Sequence, residues 1–355
     1  MLSSDFDSLI SEISSRANKL RQPINGTFEL TERCNLSCQM CYVRQPAEIN
    51  RSDKNEIPAS LWLAIADQAI QNGMVFLLLT GGEVFLRTDF FDIYKPLTRK
   101  GLFISLFTNG TLINDSIAAK LAESPPNRTE ITLYGASSKT YESITKVNGS
   151  YKKSCAGIEN LLKYKIPLSL KTTLTQQNIR ELSEMKQMAL NWGVPFTISW
   201  LLTNRRDGAQ SEVKDCRLNV SEVIALENKT SSKVITFIEP NLPENAINTN
   251  VENFFCQAGK SSFVINSQGE MNACIDLPFP RISLLKCDFN TAWKNVQEFV
   301  ESNSILSETC LRCEAREYCY RCPARSFSFT GTFNEPIPYL CKIAYEKKTH
   351  YEKKL

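Results

Sequence analysis

Histidine is almost absent from this chain. Among 355 residues there is one, His350, beside thirteen cysteines. Zinc sites often mix cysteine with histidine, and non-haem iron enzymes lean on imidazole. The shortage excludes a His-built centre and directs any metal toward thiolate-only ligation. Iron–sulfur clusters fit that best, with zinc held by four thiolates as the rival. No apolar run reaches membrane-spanning length. The N-terminus, MLSSDFDSLISEISSRANKL, carries acids and lacks an apolar h-region, so it reads as an amphipathic lead-in helix and not as a secretory signal. A net charge of +3 does not by itself imply nucleic acid. A cytoplasmic protein is expected, with neither a membrane nor a nucleic-acid partner. Thiols there stay reduced, so clustered cysteines more often bind metal or do chemistry than form disulfides.

What is present is a regular alternation. Apolar residues make up 42% of the chain, enough for a core. INGTFELT reads as a strand and PASLWLAIADQAIQNG as a helix. Then come MVFLLLTGGE and DFFDIYKPLTRKG, LFISLFTNG and NDSIAAKLAES, TEITLYGA and SYKKSCAGIENLLKYK, PLSLKTTLT and NIRELSEMKQMALNWG, PFTISWLLT and VSEVIALENKT. Asn114 is a plausible cap of the third helix. Six strands alternating with six helices predict an α/β fold with a parallel sheet and helices outside, two units short of a full barrel. In such a fold the loops after the strands share one face, where sites assemble. The polar stretches fall on those loops: Cys34 to Cys41, Gly81-Gly82-Glu83, Thr108-Asn109-Gly110, Tyr134-Gly135-Ala136 and Thr175 to Asn178.

The stretch TERCNLSCQMCYVR places Cys34, Cys38 and Cys41 within eight residues, with no fourth ligand nearby. The C-x3-C-x2-C spacing on the first loop, followed by GGE one strand later, closely resembles the radical S-adenosylmethionine (SAM) superfamily. The resemblance implies a partial (β/α)6 barrel. It also implies a [4Fe–4S] cluster on the three thiolates, with an open iron that binds the amino and carboxylate groups of SAM. One electron then cleaves SAM to a 5′-deoxyadenosyl radical, which abstracts hydrogen from substrate. Gly81 and Gly82 match the glycines that admit the methionine end, and Glu83 the partner of its amino group. Val84 stands where the family usually has Pro. Met40, before the third cysteine, takes the usual aromatic position near the adenine. Thr108 and Asn109 resemble the ribose-side polar residues. Lys171 is a candidate charge contact, with an ordinary structural residue as the alternative.

After about residue 235 the composition changes. IEPNLPENAINTN reads as a linker, and FVINSQGEMNAC as a hairpin turning at Ser267 to Gly269. The cysteines that follow, Cys256, Cys274, Cys310, Cys313, Cys319, Cys322 and Cys341, resemble in order the SPASM extension of radical peptide maturases, which carries two auxiliary [4Fe–4S] clusters. The resemblance divides the chain into a lead-in helix (1–25), a radical SAM partial barrel (26–235) and a C-terminal Cys-rich SPASM iron–sulfur domain (236–355). It assigns Cys256, Cys274 and Cys322 to an inner cluster, and Cys310, Cys313, Cys319 and Cys341 to an outer one. Cys319 and Cys322 stand one residue closer than the family's usual spacing. The inner set lacks a fourth ligand, since Ser262 stands where some members carry Cys. Cys287 either fills that place, or is a buried thiol and one iron stays open. Cys155, on a helix, and Cys216, in a polar loop, read as buried or incidental free thiols.

The function implied is modification of a ribosomally made precursor peptide by thioether or carbon–carbon crosslinking. Three [4Fe–4S] clusters, SAM and a flavodoxin- or ferredoxin-type electron donor go with it. The strand-four loop, LYGASSKTYESITKVNGSY, resembles the peptide-maturase branch. Too few residues precede strand one for a leader-binding domain, which puts leader recognition on the barrel, the cluster domain or a separate protein. A radical enzyme on a small molecule is the alternative, as is Ser or Cys oxidation of the sulfatase-maturase type. The slip from the family's catalytic Asp to Ile275, with Asp276 one place later, argues against the oxidase.

Overall fold

A computed structural model describes residues 2–43, 56–206, 213–229, 256–303 and 306–352. The stretch expected as a linker, 238–250, and the expected boundary at 235–236 lie outside the described residues. The strands are β1 (Asn25–Glu29), β2 (Phe76–Thr80), β3 (Phe103–Thr108), β4 (Arg128–Thr132), β5 (Leu168–Thr173), β6 (Phe196–Ser199), β7 (Ser262–Ile265), β8 (Glu270–Asn272) and β9 (Ile282–Ser283). The helices are α1 (Leu2–Leu20), α2 (Ala59–Gln71), α3 (Phe90–Thr98), α4 (Asp115–Ala122), α5 (Ser138–Thr145), α6 (Ser150–Lys163), α7 (Leu182–Asn191), α8 (Val213–Cys216), α9 (Val220–Lys229), α10 (Phe289–Ser302), α11 (Glu308–Leu311), α12 (Pro323–Thr330) and α13 (Pro338–Glu352). No described helix is long and apolar enough to cross a membrane.

The chain forms two compact units. The first holds α1 to α3, β1 to β3, β7 to β9 and α10. Here β1, β2 and β3 run parallel, as the alternation predicts. Helix α2 buries Trp62, Ile65, Ala66 and Ala69, one face at helical spacing. Trp62 meets Phe28 of β1 at 4.9 Å between ring centroids. On its other edge β1 pairs, also parallel, with β7. The predicted hairpin follows: β7 and β8 are antiparallel, and Gly269, at φ +76°, closes the turn by donating to the Asn266 carbonyl at 2.9 Å. Local signals set that turn. The pairing of β7 with a strand some 235 residues earlier had none.

The second unit holds α4 to α9, β4 to β6 and α11 to α13. Strands β4, β5 and β6 are parallel. Asn114 caps α4 as expected, its Oδ1 accepting from the Ile117 N–H at 2.9 Å. Two expectations are corrected. The stretch after β4, read as loop, contains helix α5. Cys216, placed in a polar loop, lies on the helical turn α8, where Val213 and Cys216 are buried three residues apart.

The cause of α5 is long-range. SKTYESIT is rich in residues with weak helix propensity. Glu181, some 40 residues on, reaches the helix N-terminus. Its carboxylate accepts from the Ala136 and Ser137 N–H groups (2.7 and 3.1 Å), from the Ser137 hydroxyl (2.7 Å) and from the Thr140 hydroxyl. Ser137 in turn caps Thr140 N–H at 3.2 Å. Burial works against the Glu181 charge, but these hydrogen bonds overcome it and hold its pKa below the ordinary carboxylate value. A depressed pKa contributes stability that is present above the unfolded-state value, about 4.3, and is lost as pH falls through the folded-state value. Glu181→Gln should therefore lower stability at pH 7 by about 1 kcal/mol. Melting curves of wild type and variant should stay apart above pH ~5 and converge as pH falls below ~4. A gap independent of pH would show that the charge contributes nothing.

Candidate cofactor site

In the first unit, the loops after β1 and β2 continue the strand pairing beyond the sheet. Leu30 N–H donates to the Thr80 carbonyl at 2.8 Å, Gly82 N–H to the Thr31 carbonyl at 2.7 Å, and Glu83 N–H to the Arg33 carbonyl at 2.8 Å. The two glycines are what allow this approach. A Cβ on Gly82 would lie 2.1 Å from the Arg33 carbonyl oxygen. One on Gly81, whose φ is +145°, would lie 2.2 Å from that of Thr31. Glu83 is fully buried, and its Oε1 accepts from Phe85 N–H at 3.2 Å, capping a short 3-10 turn over Val84–Leu86. Val84, where the family has Pro, fills the buried first position of that turn.

In the second unit, the rest of the cysteine loop rests on α5. Ser37 and Gln39 N–H groups donate to the Thr145 and Ile144 carbonyls at 2.9 and 3.2 Å, and Cys41 N–H to the Cys38 carbonyl at 3.2 Å. Cys38 and Met40 are buried, while Cys34 and Cys41 are half-buried. The loop after β3 is joined to the same stretch through side chains. Asn109 Nδ2 donates to Asn35 Oδ1 at 2.9 Å, and Asn35 Nδ2 donates to Thr111 Oγ1 at 2.8 Å. Asn109 Oδ1 accepts from the Thr111 N–H and hydroxyl. Thr108 Oγ1 accepts from Gly110 N–H at 3.1 Å. Sequence reasoning missed Asn35, Thr111 and α5. An Asn next to a cysteine carries no signal until its partner is in view. Lys171 lies within β5, and its Nζ pairs with buried Glu130 at 2.8 Å, with Arg128 on the other side of that carboxylate. This favours the ordinary structural reading of Lys171.

The C-terminal thiols fall into sets. In the second unit, burial pushes the Cys319 thiol up to about 11, and Cys341, Cys310 and Cys313 add to the rise. Cys341 is raised by burial and by Cys310 and Cys313. The four thiols are thus within electrostatic range of one another. Cys322 caps α12, its Sγ accepting from Arg325 N–H at 3.5 Å. In the first unit, Cys274 Sγ accepts from Asp276 N–H at 3.4 Å. Cys287 does the reverse and donates its thiol proton to the Ser283 carbonyl at 3.4 Å. Among the described residues, no three Cys, His, Asp or Glu side chains converge as a single-ion site. A cubane cluster seats each thiolate on a different iron, so its ligands stand apart around it.

Gly82→Ala should force the two loops of the first unit apart, because the atoms that a Cβ meets are backbone. Amide hydrogen exchange should accelerate at Gly82 and Glu83 and stay unchanged in α5 and α13. Equal exchange in the variant would show that the loops tolerate the methyl.

Comparison with known proteins follows the same residues. The family model of the Radical SAM superfamily matches residues 28–189, from β1 into α7. The chain is 25% identical over 332 residues to the AdoMet-dependent heme synthase of Methanosarcina barkeri, covering 88% of this chain and 94% of that protein. It is 26% identical over 190 residues to the antilisterial bacteriocin subtilosin biosynthesis protein AlbA of Bacillus subtilis, covering 53% of this chain but only 42% of AlbA. The structure of Streptococcus suis SuiB bound to its precursor peptide SuiA superposes with a TM-score of 0.71 at 17% identity, over 90% of this chain and 76% of SuiB, which shows a shared fold. The three cysteines of the first loop and the glycine-tight GGE of the second thus lie inside a segment, just under half of the chain, that matches the Radical SAM superfamily.

Proposed function

We propose that this enzyme modifies a ribosomally made precursor peptide, forming a thioether or carbon–carbon crosslink. The match to the superfamily implies a [4Fe–4S] cluster and SAM, which when bound supply a carbon radical able to take hydrogen from an unactivated C–H bond. Cys34, Cys38 and Cys41 hold the cluster. The carboxylate of Glu83 pairs with the ammonium of SAM, and the backbone at Gly81 and Gly82 admits its methionine end. Met40 packs on the adenine, and the Thr108–Asn109 loop offers polar groups to the ribose. The close backbone approach at Gly82 and the burial of Glu83 and Met40 fit these roles.

Two auxiliary [4Fe–4S] clusters complete the proposal. Cys310, Cys313, Cys319 and Cys341 hold the outer one. Burial and the neighbouring cysteines raise the Cys319 and Cys341 thiols, so the two ionise together only beside a cation, which is what iron supplies. Cys256, Cys274 and Cys322 hold the inner one, and Cys287, whose thiol faces the Ser283 carbonyl, stays outside it. That leaves an iron open to a substrate thiolate. The electron donor is of flavodoxin or ferredoxin type, and the barrel, the cluster domain or a separate protein recognises the leader.

The observation that carries the peptide reading is the fold shared with SuiB over nine tenths of this chain. The AlbA likeness supports it. The match to a heme synthase over nearly the whole of both chains favours a second reading, oxidation of a porphyrin-type small molecule. One assay separates them. Reconstituted enzyme with SAM and reductant is offered short cysteine-bearing peptides encoded beside its gene, and in parallel an iron porphyrin. Peptide maturation predicts a peptide product short of two hydrogen atoms, with 5′-deoxyadenosine formed in step. Turnover of the porphyrin alone would replace the first reading by the second.

The cluster assignment has its own test. Wild type should hold about twelve irons, and Cys287→Ser should hold as many. A Cys287→Ser protein that loses a cluster's worth of iron would make Cys287 a ligand and close the inner cluster.

A further inference from the structure

Beneath the two cofactor loops of the first unit lies a buried charge network that the sequence motifs do not include. Arg87 and Glu56 are its centre, with side chains 3% and 10% exposed. Arg87 donates to the Leu30 carbonyl at 2.9 Å and the Ile57 carbonyl at 3.0 Å. It also donates to Glu56 at 3.3 Å, and it grips Asp89 with two bonds of 2.8 and 2.9 Å. Glu56 takes a two-pronged contact from Arg33, at 2.8 and 3.0 Å, and a hydrogen bond from the hydroxyl of fully buried Thr31. One ion network therefore ties the end of β1, the lead into α2 and the loop after β2.

Its position relative to the site matters more than its size. Arg33 immediately precedes Cys34, and its carbonyl accepts from Glu83 N–H. The same residue is thus next to a cluster ligand in the chain and bonded to the backbone of the residue that faces the SAM ammonium. Any rotation of the Arg33 peptide moves Cys34 and Glu83 together. Forked, charge-assisted bonds hold direction as well as distance. Removing one partner of such a buried set leaves the others uncompensated, and they shift.

We propose that Glu56 and Arg87 are positioning residues, which set the spacing between Cys34 and the Glu83 carboxylate and so the geometry in which SAM meets the cluster. This rests on the cofactor assignment to these two loops and not on the nature of the substrate.

The test uses the full chain, reconstituted anaerobically and without peptide. Glu56→Gln keeps size and removes charge; Arg87→Lys keeps charge and removes the fork. Both should retain wild-type iron. SAM affinity, by calorimetric titration, should weaken about 10- to 100-fold, the usual effect of losing a residue that orients a ligand. At saturating SAM, the change that SAM causes in the EPR spectrum of the reduced cluster should differ from that of wild type, because the chelate is misaligned. Wild-type affinity with a wild-type SAM-induced spectrum in both variants would overturn the proposal. So would loss of the cluster in both, since the network would then hold the loop and not orient the cofactor. The triple variant Cys34→Ala, Cys38→Ala, Cys41→Ala distinguishes failure of the cofactor assignment itself: 5′-deoxyadenosine formed by that protein would place the cofactor elsewhere.

Discussion

The contact on which the first unit's site depends is the one between two backbones, Gly82 against Arg33. It lets the loops after β1 and β2 run on as if still strands, with N–H groups of one loop bonded to carbonyls of the other at 2.7 and 2.8 Å. Ordinary loops diverge after a sheet, because side chains need room. Here the side chains are removed where the chains touch, and the loops inherit the register of the strands. Cys34 and Glu83 are thereby placed by the sheet and not by their own flexible segments, as a preorganised site requires.

Half-buried carboxylates do the remaining fastening. Glu56 gathers Thr31, Arg33 and Arg87. Glu181 caps α5, on whose last carbonyls Ser37 and Gln39 rest. Glu227 of α9 meets Lys347 of α13 at 2.9 Å and accepts from the Tyr320 hydroxyl at 2.9 Å, so it ties the segment between Cys319 and Cys322 to the helix that bears Cys341. Each carboxylate bonds segments remote in sequence. A buried acid left alone would be costly; supplied with several donors it becomes a directional clamp, because each lone pair specifies where a donor must stand.

This explains which features were legible in the sequence. The alternation of strands and helices, the Asn114 cap and the Ser267–Gly269 turn depend on neighbours a few residues away, and reading the chain found them. The C-x3-C-x2-C and GGE motifs were visible for a related reason: the chemistry demands particular residue types within one loop. Helix α5 was missed because the groups at its N-terminus are held by Glu181, some 40 residues downstream. The network of Arg33, Glu56 and Arg87 was missed because arginines and glutamates on loops look like solvated charge until burial is known. The partner of β7 was missed because nothing in SFVI names β1.

The cysteines stand between these cases. Their order along the chain resembles a cluster-binding pattern, but order does not say which thiol keeps its proton. At three of them the structure shows the direction of a hydrogen bond to the sulfur's neighbours. Cys274 and Cys322 accept from backbone N–H groups. Cys287 gives its hydrogen to a carbonyl, which would repel a thiolate. Which end of a peptide group faces each sulfur is fixed by the local fold around that cysteine and not by its spacing from the next.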